Sequence, residues 1–280
     1  MQIERAREMG FCFGVRRAIK LLEQAAQQHG TVESLGAVVH NRQVVNHLAE
    51  LGVKVVEDAD QLKGSVVAIP SHGLGLPLLE KLKSDVSTVV DATCPFVRRA
   101  QMVARKLAQS GFQIVIFGDA EHAEVKAILG SCEGHGIVTT EANIAFAEPP
   151  RRLGVLSQTT QSPERFGQFV RELLDRVLSE VDELRVINTI CSATRERQTA
   201  ARELASHSDI MVVVGDLNSA NTRRLAELCS STGVETHLVE GAHQLEAIWF
   251  KNKKHVGITA GASTPDEIID LVINKLQNQA

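Results

Sequence analysis

The sequence predicts an α/β protein with mainly parallel sheets covered by helices on both faces. Its apolar runs are rich in Val and Ile and continuous rather than alternating, the pattern of strands buried on both sides. Segments of helical period lie between them. Each run also ends in a polar cluster, and in open parallel sheets ligands bind beyond the carboxyl ends of the strands.

In chain order, the runs at 35–39, 66–70 and 86–90 precede His40-Asn41, Ser71-His72-Gly73 and Asp91-Ala92-Thr93-Cys94. Those at 114–117, 154–156 and 186–190 precede GDAEHAE (118–124), Ser157-Gln158-Thr159-Thr160 and Cys191. The last two, 210–214 and 256–258, precede GDLNS (215–219) and TAGAS (259–263). Amphipathic periodicity predicts helices over 100–109, 166–181, 195–206 and 266–276. Gly111 and Gly233 stand where helix C-caps belong, and Thr264-Pro265-Asp266-Glu267 reads as a helix start.

With 280 residues, 44% of them hydrophobic, the chain can bury a core and divides into two or three modest domains. A net charge of -4 gives no basic stripe for nucleic acid. Tyr is absent and Trp249 is alone, so stacking platforms for bases are not expected. No apolar run has the length of a membrane span, and the N-terminus lacks a signal-peptide core. The expectation is a soluble, cytoplasmic protein with no membrane partner.

Five cysteines, at 12, 94, 132, 191 and 229, do not form a disulfide framework in a reducing compartment. Cys12, Cys94 and Cys191 fall at similar intervals, each beside a strand-to-helix junction, and none belongs to a CxxC pair. Three such thiolates could hold a [4Fe–4S] cluster and leave one iron open as a Lewis acid. They could equally be buried structural thiols. Cys132, in a Gly/Ser-rich loop, and Cys229, on the apolar face of a helix, read as structural.

His40, His72 and His122 each follow a strand run, and with Thr160, Ser219, Asn221 and Ser263 they form a candidate donor lining for phosphate or diphosphate. Any single histidine of this kind can also be a satisfied core or surface residue. Glu124, two residues after His122, is a candidate proton donor or a solvated helix-start carboxylate. SHGLGLPLL lacks the third glycine of a dinucleotide fingerprint, and P-loop, HExxH and GxSxG motifs are absent. A redox enzyme of this sequence would take its electrons from outside.

The ordered set GFCFGV, VVHN, SHG, DATCP, HAEV, SQTT, NTIC…T…RQ, GDLNSANT and TAGAST closely resembles the LytB/IspH family of 4-hydroxy-3-methylbut-2-enyl diphosphate reductases, over almost the whole chain. The resemblance implies three small α/β domains in a pseudo-threefold arrangement around a central iron–sulfur cluster. We expect their bounds at 1–95, 96–191 and 192–280, the last with the C-terminal helix. It implies reduction of the allylic alcohol diphosphate to isopentenyl and dimethylallyl diphosphate, the last step of the methylerythritol phosphate route to isoprenoids. A ferredoxin- or flavodoxin-type donor would supply the electrons. By the same resemblance, Cys12, Cys94 and Cys191 are the cluster ligands. His40, His72, His122, Thr160, Ser219, Asn221 and Ser263 match the diphosphate set, in which Ala220 also falls. Glu124 matches the proton-relay carboxylate and Thr159 or Thr160 its neighbouring hydroxyl, of which Thr159, directly after Gln158, is the choice for the relay.

Two departures stand out. The family's GHPEV is here Glu121-His122-Ala123-Glu124-Val125, and its SSN is Ser219-Ala220-Asn221, one hydroxyl fewer. They motivate an alternative, a related iron–sulfur reductase or hydratase acting on another substrate. A zinc hydrolase, a metal-binding regulator or a non-catalytic cluster sensor are further alternatives from other classes. Pro95 is expected to hold Thr93-Cys94 extended.

Overall fold

The computed structural model describes residues 1–146 and 148–279. The chain runs β1 (Gln2–Arg5), α1 (Phe13–His29), β2 (Val32–Leu35), α2 (Arg42–Glu50), β3 (Val53–Val56), β4 (Val66–Ile69), α3 (Leu76–Asp85) and β5 (Thr88–Asp91). It continues with α4 (Pro95–Gln109), β6 (Gln113–Phe117), α5 (Ala123–Leu129), β7 (Gly136–Thr139), β8 (Arg152–Ser157), α6 (Pro163–Val177) and β9 (Glu183–Ile187). The last part holds α7 (Ser192–Ala205), β10 (Ile210–Val214), α8 (Ala220–Ser230), β11 (Glu235–Val239), β12 (His255–Ala260) and α9 (Asp266–Gln279).

Among the described residues, the strands form three four-stranded sheets, and every pairing is parallel. Read from one edge, their orders are β5-β4-β2-β3, β9-β8-β6-β7 and β1-β12-β10-β11. These are one topology used three times. In the third sheet the closing edge strand comes from the start of the chain, so the repeat is circularly permuted there.

Each compact unit has its own interior. One comprises Met1–Arg16, Val39–His47 and Ser192–Ala280; the other comprises Arg17–Val38 and Leu48–Cys191. In the first, Ile210, Val212 and Val214 of β10 pack with Ile269, Val272 and Ile273 of α9. The alternate residues Met211 and Val213 pack with Ala200, Leu204 and Leu225 of α7 and α8. In the second, Ile114 and Ile116 of β6 face α4 and α5, while Val115 and Phe117 face Phe166, Phe169 and Leu173 of α6. Burying such a side chain contributes about 1.5–3 kcal/mol. Both faces are covered, so the inner strands have no polar side to present.

The run 210–214 is a strand over its whole length, but three others are displaced, and the one expected at 86–90 spans Thr88–Asp91. The strand expected at 35–39 ends at Leu35, because Gly36 takes φ +87° and turns the chain out of the sheet. Val38 and Val39 remain buried as loop residues. The strand expected at 186–190 begins earlier, at Glu183, and stops at Ile187. Gly111 (φ +75°) and Gly233 (φ +88°) follow α4 and α8 in the left-handed conformation expected of helix ends. Gly75 and Gly130 bring their backbones into contact, where a Cβ on Gly130 would lie 2.9 Å from Gly75 Cα.

Candidate active site

The three cysteines singled out by sequence occupy equivalent places in the repeated topology. Each follows the closing edge strand (β1, β5 or β9) and stands at the start of α1, α4 or α7. Each donates its backbone N–H to a carbonyl just past the adjacent inner strand. Cys12 bonds Ala262 at 3.1 Å, Cys94 bonds Ser71 at 2.9 Å, and Cys191 bonds Thr159 at 3.0 Å. All three are half-buried and in no disulfide. Cys94 is the N-cap of α4, extended at φ -60° and ψ 135°, with Pro95 in the first turn, as expected.

Cys132 and Cys229 differ in every respect. Both are fully buried, and burial pushes both thiols up to about 12. They remain protonated core residues.

Each cysteine loop is braced by a side chain to which the motif alone assigns no role. Asp91 accepts from Thr93 N–H (3.0 Å) and pairs with Arg98 (2.6 Å), while Arg17 donates to the Thr93 carbonyl at 3.2 Å. Thr189 Oγ1 accepts from Ser157 N–H at 2.9 Å and also contacts the Ser157 carbonyl, tying the end of β9 to β8. Arg197, only 4% exposed, donates to the Gly10 carbonyl at 2.7 Å, two residues before Cys12. The available sequence signal was only that RQ stands on the inward face of an amphipathic helix, which marks a buried arginine but not the carbonyl it reaches.

The helices that follow the first inner strand of each sheet are capped at equivalent positions by Asn41, His122 and Ser219. Asn41 Oδ1 accepts from Gln43 and Val44 N–H. His122 Nδ1 accepts from Glu124 N–H at 3.1 Å, which places the imidazole hydrogen of the neutral ring on Nε2. Ser219 Oγ accepts from Thr222 N–H at 3.4 Å.

Two residues beyond these caps the sheets diverge in chemistry. Glu124 is 3% exposed; its Oε1 accepts Thr159 N–H at 2.6 Å and its Oε2 faces Thr159 Oγ1 at 2.9 Å. Thr159 in turn offers its carbonyl to Cys191, so acid, hydroxyl and cysteine backbone are contiguous. Thr160 Oγ1 accepts from Gln158 Nε2 at 3.0 Å. Asn221 holds the corresponding place on α8, and its Nδ2 is buried with no hydrogen-bond partner among the described residues. That amide is a donor without an acceptor, as expected of a group that meets an anionic ligand.

The remaining predicted residues lie at the same carboxyl edges. Ser263 Oγ donates to the His40 carbonyl at 3.1 Å. Burial pushes the His40 imidazole below its ordinary value, with Asp216 opposing the shift. His72 Nδ1 lies 3.2 Å from the Gly73 carbonyl, which fixes the donor on that nitrogen. Ala220 is buried in the first turn of α8. Glu121 turns outward, 87% exposed and paired with Lys126 at 2.8 Å, so the added carboxylate leaves the polar edge.

Three parallel sheets, each followed beyond its closing edge strand by a half-buried cysteine at a helix start, define the class: an α/β protein. Residues 3–277 match the family model described as LytB protein. The chain is 48% identical to the 4-hydroxy-3-methylbut-2-enyl diphosphate reductase of Dehalococcoides mccartyi (strain CBDB1), over 99% of this chain and 98% of that one. It is 43% identical to the enzyme of the same name from Geobacter sulfurreducens, over 99% and 97%. The solved structure titled (E)-4-hydroxy-3-methyl-but-2-enyl diphosphate reductase, the terminal enzyme of the non-mevalonate pathway, superposes with a TM-score of 0.72 at 37% identity, covering 99% of this chain and all of that one. The reductase from Plasmodium falciparum, 24% identical, shares the fold with a TM-score of 0.92, over 99% of this chain and 88% of that one. The chain belongs to the LytB family.

Proposed function

We propose that this chain is a 4-hydroxy-3-methylbut-2-enyl diphosphate reductase, removing the allylic hydroxyl as water to give isopentenyl and dimethylallyl diphosphate. The observation that carries the mechanism is the pairing of buried Glu124 with Thr159 beside Cys191, in a chain whose full-length relatives bear that activity.

The thiols fit an iron–sulfur group: Cys12, Cys94 and Cys191 stand half-buried at helix starts in equivalent loops, while the other two cysteines are sealed in the core. These three residues would hold a [4Fe–4S] cluster, which when bound supplies electrons and an open iron acting as a Lewis acid. A ferredoxin- or flavodoxin-type protein is the proposed electron donor and the cytoplasm the proposed location; among the described residues no helix is long and apolar enough to cross a membrane. Segments 1–95, 96–191 and 192–280 remain our division of the chain, with β1 lent to the sheet of the last.

The chain's own residues bind, orient and protonate. Asn221 Nδ2, Ser219, Thr160 and His122 Nε2 supply donors to the diphosphate, with Ser263, His40 and His72 at the carboxyl edges of their sheets. Ala220 contributes no hydroxyl. Anchoring at the diphosphate restricts the allylic end and lowers the orientational part of the barrier. Thr159 N–H holds Glu124 Oε1 so that Oε2 faces the Thr159 hydroxyl. A proton passes from Glu124 to Thr159 as the Thr159 proton goes to the departing oxygen.

The test is turnover of the allylic diphosphate against its non-phosphorylated alcohol, with protein purified without oxygen and its iron and sulfide measured. Turnover of the diphosphate alone, with about four irons per chain, is the expected result. Iron with turnover only of another substrate favours the related reductase or hydratase. Protein that cannot be loaded with iron and sulfide contradicts the thiol assignment.

A further inference from the structure

The third sheet carries a second cluster of metal-ligand side chains at its opposite end. His207 lies in the lead-in to β10, His255 opens β12, and Glu4 reaches toward both from β1. His255 Nε2 is 3.0 Å and His207 Nε2 3.5 Å from Glu4 Oε2, and the three donor atoms lie within 4.8 Å of one another. Ligands about 2.0–2.1 Å from a tetrahedral zinc ion are about 3.3 Å apart, so both nitrogen-to-oxygen distances fit such a site.

The hydrogen-bonding of His255 strengthens the case. Its Nδ1 is 2.8 Å from the His207 carbonyl, which can only accept, so Nδ1 carries the hydrogen. In the neutral ring, Nε2 is then a bare lone pair directed at the Glu4 carboxylate. That nitrogen is buried and makes no hydrogen bond, despite the 3.0 Å approach. Two lone pairs this close need a cation between them. A second proton would serve only His255, whereas a metal ion also engages His207.

The surroundings hold this geometry. Asp209 Oδ2 accepts from Lys254 N–H (2.7 Å) and His255 N–H (2.9 Å), fixing the start of β12 and holding the Asp209 carboxyl below its usual range. The His207 and His255 rings stack with centroids 5.3 Å apart. Lys253 is engaged by Glu235 at 2.7 Å and does not compete for Glu4. A ligating imidazole whose other nitrogen donates to a backbone carbonyl is the usual second contact of a metal-bound histidine.

We propose that Glu4, His207 and His255 bind a divalent transition cation of the zinc type, with water completing its coordination on the exposed side. Nitrogen and carboxylate donors suit that class better than calcium or magnesium. The ion clips β1 to the rest of its sheet. β1 is a four-residue edge strand paired only with β12 among the described residues, so it has the most to gain from a bond to the β10 lead-in.

The probe is zinc alone, presented by equilibrium dialysis to the cluster-loaded full chain and to Glu4→Gln and His207→Ala. The expected result is one zinc equivalent more on the unmodified chain than on either variant. Zinc at a hundredfold excess over its Kd should also raise the Tm of the unmodified chain by roughly 5 °C and leave the variants' Tm unmoved. Turnover should be unchanged in both variants, which serves as their folding control. Equal zinc retention by all three proteins, or none by the unmodified chain, overturns the proposal. Either result is read without reference to substrate and leaves the reductase assignment untouched.

Discussion

The sheet of β6–β9 and the sheet of β10–β12 with β1 share one topology, and the third residue of the capped segment in each differs in a single functional way. On α5 it is Glu124, whose two oxygens are taken up by Thr159 from the end of β8. On α8 it is Asn221, whose amide nitrogen is buried without a partner. The acid is complete without a ligand, whereas the amide needs one. Under the proposed function, the same backbone site would serve proton storage in one sheet and anion capture in another. A repeated fold can divide chemistry from binding by changing one side chain at an equivalent helix start.

The broadest way to break this comparison is through the thiols that all three sheets hold in common. Cys94→Ser or Cys191→Ser should abolish both iron retention and turnover, measured by iron content and anaerobic assay. Cys132→Ala should keep both and cost about 1 kcal/mol in denaturant unfolding, as a small buried deletion. Iron loss from Cys132→Ala would erase the distinction between half-buried and sealed cysteines.

A smaller effect isolates the acid's partner. Thr159→Val keeps the backbone N–H to Glu124 Oε1 and removes only the hydroxyl facing Oε2. Turnover should fall roughly 100-fold at saturating substrate, the lower range of lost acid catalysis, with iron content unchanged. A turnover number equal to that of the unmodified chain would remove Thr159 from the relay.

The smallest expected change restores what this chain lacks. Ala220→Ser returns a hydroxyl to the first turn of α8, and one hydrogen bond worth about 1 kcal/mol should lower KM roughly fivefold. An unchanged KM would show that this helix start does not meet the diphosphate.

Legibility in the sequence followed burial. Inner strands such as Ile210–Val214, buried at every residue, read directly as apolar runs. The edge strands β1, β3, β7 and β11 did not, because an edge strand has only one neighbour and tolerates residues such as those of QIER and ETHLV. That β1 completes the sheet of β10–β12 is a long-range pairing to which no local pattern points. Among the candidate site residues, Cys94, Cys191 and Glu124 stood out because polar residues after apolar runs mark carboxyl edges, whereas Cys12 follows no such run and stood out by its similar interval to the other two. The bracing roles of Asp91, Thr189 and Arg197 depend on which carbonyl or N–H each reaches, and residue spacing carries no record of that. Asn221 was visible as a polar residue, but its equivalence to Glu124 emerged only once the sheets could be compared.

The most direct measurement is steady-state kinetics of Glu124→Gln and Asn221→Ala side by side on the allylic diphosphate, with iron content verified in each. Glu124→Gln should lower kcat roughly 100-fold or more with KM little changed, since it removes a proton and keeps the shape. Asn221→Ala should raise KM roughly tenfold with kcat nearly kept, since it removes a donor to the anchored diphosphate. If both variants lower kcat alike, or both raise KM alike, the two helix starts do the same work and the proposed division between them is wrong.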